Sequence, residues 1–303
     1  MAEAELGDAV ALLTEARQIV DAELERCANR LAAEVPGPLG EALAYALRSP
    51  GKRVRPALVI AAYRAAGGRS DAIAGIATAV EVVHTYSLVH DDLPCMDNDD
   101  MRRGRPTIHR AFDPAIATRV GYLLVPVAAE ELARAAESLQ LSPDATGALA
   151  VELFEAGGIR GMVGGQWLDL EAEHRRLSVA ELITVHRGKT GALIRAAVVL
   201  GGIAAGADAA VLNALRGFGE EIGLAFQVAD DVLDATGTTE ELGKRAGRDV
   251  ALAKSTYVSV LGVDTARREA IRHQELAIEE LADVSLVSES LVALARYIVM
   301  RPS

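Results

Sequence analysis

The sequence has little of what marks several large classes of protein. Only 4% of its residues are aromatic, and its two cysteines, Cys27 and Cys95, are too few for a disulfide framework. Its apolar runs fall short of the ~20 residues that cross a bilayer, and the stretch 196–205 is interrupted by glycine. The amino terminus is acidic where a signal peptide would be basic. We therefore expect a cytoplasmic protein with no membrane span.

The chain also has too few basic residues to balance its acidic ones. Lys and Arg number 31 against 43 Asp and Glu, which gives a formal net charge of -12. Such a surface repels nucleic acid and anionic membranes, so we expect no nucleic-acid partner. An anionic substrate would have to be held by a local cluster of basic residues.

What the sequence does contain is a helical pattern that extends almost from end to end. Half of the residues are apolar, and they recur at helical spacing between short breaks rich in Pro, Gly, Ser or Asp. This pattern predicts an all-α helical bundle that forms a single domain over residues 1–303. Ser178 and Glu181 have the spacing of a capping box. The longer predicted helices span about 70–92, 114–139, 142–173 and 208–236, and the longest predicted loop spans 237–254.

An acidic group lies near the carboxyl end of the helix predicted over 208–236, in the segment FQVADDVLD. Asp230 and Asp234 are one turn apart and share a face, while Asp231 is turned away. The helix dipole and the clustered carboxylates both disfavour further negative charge there, so a cation is expected between them. A sparse pair of carboxylates suits Mg²⁺, which keeps waters and binds substrate phosphates.

A second acidic group follows another predicted helix, in the segment DDLPCMDNDD. Asp91 and Asp97 are six residues apart, and a regular helix would not align them. Because Pro94 cannot continue the helix, we predict a bend over 93–96 that returns Asp97 to the side of Asp91. Guanidinium groups that could bind diphosphate oxygens follow at once, at Arg102, Arg103 and Arg105.

These motifs belong to a larger ordered set. The segments are GKRVRP (51–56), HTYSLVHDDLPCMDNDDMRRGRPT (84–107), GMVGGQWLDLEAE (161–173), KTGALIRAA (189–197), GLAFQVADDVLDATGTTEELGK (223–244) and GRDVALAKSTY (247–257). In this order they resemble the short-chain trans-isoprenyl diphosphate synthases, which include the farnesyl and geranylgeranyl diphosphate synthases. The resemblance implies the isoprenoid synthase helical fold with a central substrate cavity, and a homodimer. It also implies condensation of isopentenyl diphosphate with dimethylallyl or geranyl diphosphate by magnesium-assisted ionisation, condensation and elimination.

The resemblance further implies roles for individual residues. Three magnesium ions would be held by Asp91, Asp97 and Asp230, with support from Asp92, Asp231 and Asp234. The allylic diphosphate would contact Arg102, Lys189, Lys244 and Lys254. The isopentenyl diphosphate would lie in a metal-free site formed by Lys52, Arg55, His84 and Arg103, with Arg53 a bystander. Catalytic oxygen dipoles beside the allylic cation would come from Lys189, Thr190 and Gln227.

Other polar residues near these motifs have simpler interpretations. His90 and His109 lack metal-ligand spacing, and we interpret them as hydrogen-bonding scaffold. Trp167 and Asp169 are expected to serve packing and helix-to-helix hydrogen bonding. Close approach of helices is expected at Gly157, Gly158, Gly161, Gly164 and Gly165.

The product length is predicted from the turn before Asp91. The allylic tail should extend along this helix, so Tyr86 and Ser87 would form the floor of its pocket. The aromatic residue Tyr86 resembles the bacterial farnesyl diphosphate synthases. The segment PCMDND resembles geranylgeranyl diphosphate synthases, so geranylgeranyl diphosphate stays the alternative product.

One segment departs from the family pattern. Tyr122 replaces a carboxylate and Pro126 adds a helix breaker, so we expect a kink near Tyr122. This departure leaves a non-catalytic or weakly active partner subunit as a second alternative. A terpene cyclase is disfavoured because it would not need Lys52, Arg55 and His84.

Overall fold

A computed structural model describes residues 2–173, 175–237 and 255–300, and helices dominate it. The helices are α1 (Ala2–Glu34), α2 (Pro38–Leu47), α3 (Val54–Ala65), α4 (Ile73–Asp91), α5 (Ile108–Ala111), α6 (Pro114–Ser138), α7 (Pro143–Gly157), α8 (Met162–Glu171), α9 (Val179–His186), α10 (Ala192–Ala204), α11 (Ala209–Thr236), α12 (Tyr257–Leu261), α13 (Val263–Glu280) and α14 (Glu289–Met300). A π-helical turn, Arg187–Gly191, joins α9 to α10. The strands β1 (Met101–Arg102) and β2 (Arg105–Pro106) form an antiparallel hairpin. The all-α prediction is confirmed.

Two helices lie at the centre of the bundle. In α4 the residues 76–83 are all buried, and in α10 the residues 196–202 are all buried. A helix that is apolar and buried on every side must be covered all round by other helices. α3 and α6 pack on α4, and α3, α7 and α11 pack on α10. From His84 onward one side of α4 is only partly buried, so its functional residues lie on the half that leaves the core.

Helix starts follow the capping residues of the sequence. Asp113, Ser142 and Asp208 each accept a hydrogen bond from the backbone N–H three residues further on. Ser178 and Glu181 form the predicted capping box, with both reciprocal bonds present. These contacts satisfy amide groups that the first helical turn leaves without a partner. The predicted starts near 114, 142, 178 and 208 are thus confirmed.

One expectation about helix continuity is wrong. The helix predicted over 142–173 is divided into α7 and α8, because a turn closed by the Gly161 N–H and the Gly158 carbonyl, 3.0 Å apart, interrupts it. A β-carbon on Gly161 would lie 2.1 Å from the Ala156 carbonyl oxygen, so the turn leaves no room for a side chain there. Pro126 lies inside α6, which is helical from Pro114 to Ser138, and the kink predicted near Tyr122 stays a prediction.

The remaining predictions on organisation have mixed outcomes. Gly237 follows the end of α11, as predicted, but the rest of the predicted 237–254 loop lies outside the described residues. Within the described part of the chain, no helix is long and apolar enough to cross a membrane. That residues 1–303 form a single domain stays a prediction.

Candidate active site

The first acidic segment bends at the carboxyl end of α4. The backbone N–H of Asp97 donates to the Asp91 carbonyl at 2.8 Å, and those of Met96 and Asn98 donate to the Leu93 carbonyl at 2.9 and 3.0 Å. Asn98 takes a left-handed conformation, with φ of 50°, which asparagine tolerates better than most residues. The predicted bend that returns Asp97 to Asp91 is confirmed.

Asp91 is in an unusual electrostatic position. Burial raises the pKa of its carboxyl group to about 6, and the nearby negative charge of Asp97 acts in the same direction. The ammonium group of Lys189 opposes this shift. A carboxylate that is both desolvated and close to another carboxylate gains most from a cation. Lys189, from the π-helical turn, thus lies within electrostatic range of the first acidic segment.

The carboxylate of Asp92 is paired with a side chain of the same chain. Its side chain is buried and accepts from Arg102, with Nε at 2.7 Å and Nη2 at 2.5 Å from the same carboxylate oxygen. Arg102 also reaches the Asp99 carboxylate at 3.4 Å. Its contacts hold the guanidinium group of Arg102 at the first acidic segment. That Asp92 also supports a metal stays a prediction.

The hairpin that follows the first acidic segment directs Arg103 and Arg105 to different partners. Arg103 donates from Nη1 to the Pro50 carbonyl at 2.6 Å, which directs it toward the loop before α3. Arg105 lies over the Tyr45 ring, with Cζ 4.0 Å from the ring centroid, and donates from Nη1 to the Arg48 carbonyl at 3.0 Å, where α2 ends. The left-handed conformations of Arg103 and Gly104, at φ of 52° and 76°, make this reversal possible. Arg103 therefore binds the middle of the loop before α3, and Arg105 binds its start.

Basic residues from three elements surround His84. Burial is the main cause that holds the pKa of His84 well below its usual value, and the arginines at 55, 103, 102 and 53 lower it further in that order. His84 is on α4, Arg55 on α3 and Arg103 on the hairpin. Lys52, just before α3, is exposed. Four residues predicted to bind isopentenyl diphosphate are therefore brought to one region, and the imidazole there is neutral.

Arg53 is buried beneath this region. Its side chain is 3% exposed and contacts two carboxylates, Asp21 at 2.8 Å and Glu81 at 2.6 Å. This role could not be predicted from the sequence, because Arg53 falls within a basic run and its acidic partners are far away along the chain.

The second acidic segment is tied to the π-helical turn by a chain of hydrogen bonds. Thr190 donates from Oγ1 to Gln227 Oε1 at 2.8 Å, and Gln227 donates from Nε2 to Asp231 Oδ1 at 3.1 Å. The other oxygen of Asp231 accepts from the backbone N–H of Tyr257 at 2.8 Å. Asp231 is buried, whereas Asp230 and Asp234 are partly exposed. The predicted difference in orientation is confirmed, and Asp231 serves as an anchor.

Lys189 is positioned by an ion pair and by close backbone packing. Its Nζ lies 2.5 Å from Asp169 Oδ2 on α8, which confirms the expected helix-to-helix contact. Gly165 lies against the π-helical turn so closely that a β-carbon there would be 2.0 Å from the Lys189 nitrogen. The close approach predicted for Gly165 is confirmed. Trp167, in contrast, is 61% exposed, so its predicted packing role is wrong.

Three aromatic rings connect the predicted pocket floor to α6. The ring centroids of Tyr86 and His90 are 5.2 Å apart, and those of His90 and Tyr122 are 5.6 Å apart, both in edge-to-face geometry. His90 also donates to the Thr118 carbonyl at 3.2 Å, consistent with its predicted scaffold role. A β-carbon on Gly121 would overlap the His90 ring. Tyr122 thus contacts the turn that bears Asp91, although 68% of it is exposed.

Not all of the predicted diphosphate and metal contacts fall within the described residues. Lys244 and Lys254 lie outside the described residues. Within the described ranges, no three Asp, Glu, His or Cys side chains are close enough to hold a metal ion by themselves.

The chain matches proteins of known family over most of its length. The polyprenyl synthetase family model matches residues 37–294. The chain is 45% identical over 268 residues to the farnesyl diphosphate synthase of Escherichia coli, covering 87% of this chain and 89% of that protein. It is 42% identical over 271 residues to large subunit 1 of the chloroplastic heterodimeric geranylgeranyl pyrophosphate synthase of Arabidopsis thaliana, covering 88% and 73%.

Solved structures agree with the sequence comparisons. An FPP/GFPP synthase from Zymomonas mobilis superimposes with a TM-score of 0.81 at 36% identity, covering 96% of this chain and 99% of that one. A geranyltransferase from Helicobacter pylori, complexed with magnesium and isoprenyl diphosphate, gives 0.75 at 32% identity, covering 93% and 94%. The chain belongs to the polyprenyl synthetase family and has the isoprenoid synthase fold.

Proposed function

We propose that this protein is a trans-prenyltransferase that condenses isopentenyl diphosphate with dimethylallyl and geranyl diphosphate, with farnesyl diphosphate as its main product. The observation that carries the proposal is the connection between the two acidic segments. Lys189 lies within electrostatic range of Asp91, and the adjacent Thr190 is hydrogen-bonded through Gln227 to Asp231. Carboxylates, cationic groups and oxygen dipoles thus surround one region, as ionisation of an allylic diphosphate requires.

Magnesium fits the donors of this region. Asp91 and Asp97 offer hard oxygen ligands, and their mutual repulsion in a buried position favours a cation between them. Asp230 and Asp234 offer a second pair on the partly exposed face of α11. When bound, magnesium would neutralise charge on the diphosphate and so promote its departure. The family resemblance implies three ions, which Asp91, Asp97 and Asp230 would hold.

The protein's own groups have distinct tasks in this proposal. Arg102, fixed by Asp92, and Lys189, fixed by Asp169, bind the oxygens of the allylic diphosphate as its negative charge grows. Because Thr190 donates its hydroxyl proton to Gln227, the lone pairs of the hydroxyl oxygen are left for the developing carbocation. None of these groups forms a covalent bond to the substrate.

The second substrate would be bound without metal. Lys52, Arg55 and Arg103 supply positive charge, and neutral His84 supplies a hydrogen bond to the isopentenyl diphosphate. Separate sites place the double bond beside the cation while only the allylic diphosphate is activated. The released diphosphate would accept the proton lost at the end.

Tyr86 and Ser87 are proposed to limit the product to farnesyl length. Tyr86 lies one turn before the acidic bend and is held edge-on by His90, so its ring narrows the path of the allylic tail. Geranylgeranyl diphosphate is the alternative product, because both kinds of synthase occur among the relatives.

A homodimer in the cytoplasm is also proposed. Tyr122, Pro126 and Ala129 lie one turn apart on α6, and all three are exposed. An apolar stripe of this kind is suited to a subunit interface. Both cysteines are free thiols, which suits a reducing compartment.

The function is tested with the purified protein, magnesium and labelled isopentenyl diphosphate, using each allylic starter in turn. We expect elongation of dimethylallyl and geranyl diphosphate to a fifteen-carbon product. A twenty-carbon product would favour the geranylgeranyl alternative. The absence of any elongation by the protein alone would contradict the proposal and would favour a non-catalytic partner subunit.

A further inference from the structure

Arg53 lies between two proposed substrate residues, Lys52 and Arg55, but its own side chain is directed into the protein. Nε donates to Asp21 Oδ1 on α1 at 2.8 Å, and Nη1 donates to Glu81 Oε1 on α4 at 2.6 Å. Nη2 donates to the Ser49 carbonyl at 2.7 Å. Each nitrogen of the guanidinium group is therefore engaged, and one side chain connects α1, α4 and the loop before α3.

The backbone of Arg53 is in a conformation that needs such support. It is the N-cap of α3 and has φ of 52° and ψ of 37°, in the left-handed region that non-glycine residues rarely adopt. This conformation turns the chain between exposed Lys52 and partly buried Arg55. The side-chain contacts of Arg53 therefore stabilise the backbone turn from which the two neighbouring cations project.

The same loop connects Arg53 to the hairpin. A β-carbon on Gly51 would lie 2.8 Å from Arg53 Nη1 and 2.7 Å from Arg103 Nη1, so both guanidinium groups pack against this glycine. Arg103 in turn donates to the Pro50 carbonyl at 2.6 Å. The loop thus sets the relative positions of three proposed diphosphate contacts, Lys52, Arg55 and Arg103.

The contact of Arg53 with Glu81 also has an electrostatic role. It is almost fully buried and lies three residues before His84 on the same helix. Without a partner, its carboxylate would place uncompensated negative charge close to the proposed diphosphate site. Arg53 offsets the buried charge of Glu81, while its other partner, Asp21, is 39% exposed and screened by solvent.

We propose that Arg53 is a positioning residue for isopentenyl diphosphate, acting through the ion triad Asp21–Arg53–Glu81. This inference rests on the proposed function, since it assigns Arg53 to the metal-free substrate site. Arg53 does not touch the substrate. It fixes the turn that carries Lys52 and Arg55, and it offsets the charge of Glu81.

The test uses Arg53→Lys and Arg53→Gln in the full-length protein. A lysine keeps the charge but cannot make the three directed bonds, and a glutamine also removes the positive charge that offsets Glu81. We expect the KM for isopentenyl diphosphate to rise about tenfold, while the KM for geranyl diphosphate stays within about twofold. Direct calorimetric titration with isopentenyl diphosphate should show the same loss of affinity.

Arg30→Lys is the matched control. Arg30 also joins α1 to another helix through a carboxylate, Glu131 on α6, at 2.7 Å. It lies nine residues beyond Asp21, about 14 Å along α1 at the rise of an α-helix. We expect this variant to lose stability without a change in either KM. If both KM values rise equally in the triad variants, or neither changes, Arg53 serves only the fold and the inference is wrong.

A milder variant and a wild-type measurement distinguish a folding defect, a wrong inference and a wrong proposed function. If Arg53→Lys fails to fold, Asp21→Asn makes a milder change, because the Asp21 side chain is 39% exposed. It should still weaken calorimetric binding of isopentenyl diphosphate, and unchanged binding would overturn the inference. Wild-type protein that binds isopentenyl diphosphate but elongates no starter would contradict the proposed function alone.

Discussion

Gly165→Ala tests whether close backbone contact positions the catalytic turn. A β-carbon at this site would lie 2.0 Å from the Lys189 nitrogen and 2.5 Å from the Gly188 carbonyl carbon. Both neighbours are backbone atoms, so the clash cannot be relieved by rotating a side chain. To restore van der Waals contact, α8 and the π-helical turn must separate by more than about 1 Å.

Two magnitudes follow from that displacement. Overpacking of this kind costs about 1–3 kcal/mol in the free energy of unfolding, measured by urea denaturation. Displacement of Lys189 and Thr190 by about 1 Å should lower kcat by about a hundredfold. Wild-type stability and turnover in Gly165→Ala would refute the reasoning.

Gly147→Ala is the matched control for this prediction. It places the same β-carbon on an exposed position of α7, where no atom lies within 4 Å. Replacing glycine within a helix reduces the entropy lost on folding, so this variant should gain about 0.5–1 kcal/mol with unchanged turnover. The same substitution is therefore expected to have opposite signs at two helical sites.

Three further predictions concern product, metal and pH. Tyr86→Ala should lengthen the product to twenty carbons, as sized by chromatography, and an unchanged product would move the pocket floor elsewhere. Chelation by EDTA should abolish elongation but leave calorimetric binding of isopentenyl diphosphate intact, whereas loss of both would contradict a metal-free second site. Burial lowers the pKa of His186 from 6.5 to about 4; the charge of Asp169 acts more weakly in the opposite direction, and that of Lys189 in the same direction as burial. Between those pH values the unfolded chain binds a proton that the folded chain does not, so the free energy of unfolding should fall by about 3 kcal/mol as pH decreases. His186→Leu should remove this pH dependence of the free energy of unfolding. If urea titrations show the same pH dependence in the variant and the wild type, the assignment to His186 is wrong.

Local features of the fold were predictable because their causes are local. The caps at Asp113, Ser178 and Asp208 lie within three residues of the amides they bind. The bend before Asp97 was predictable because proline cannot continue a helix. The separate orientation of Asp231 follows from helical geometry alone.

The features that were missed depend on contacts between distant residues. Arg53 pairs with Asp21 and Glu81, which are 32 and 28 residues away, and a basic motif does not reveal such partners. The π-helical turn has no sequence signature, although the packing of Gly165 against it helps to explain why it persists.

The contact of Tyr86 with His90, and of His90 with Tyr122, has a consequence for how this enzyme can diversify. The proposed pocket floor is two ring contacts from an exposed side chain on α6. Any chain that pairs at this surface, whether a second copy or a related protein, contacts Tyr122 and therefore the rings that lead to Tyr86. If Tyr86 limits the product as proposed, we expect mutations at this surface to change product length while every diphosphate-binding residue stays unchanged, so that selection could alter the product without altering the chemistry.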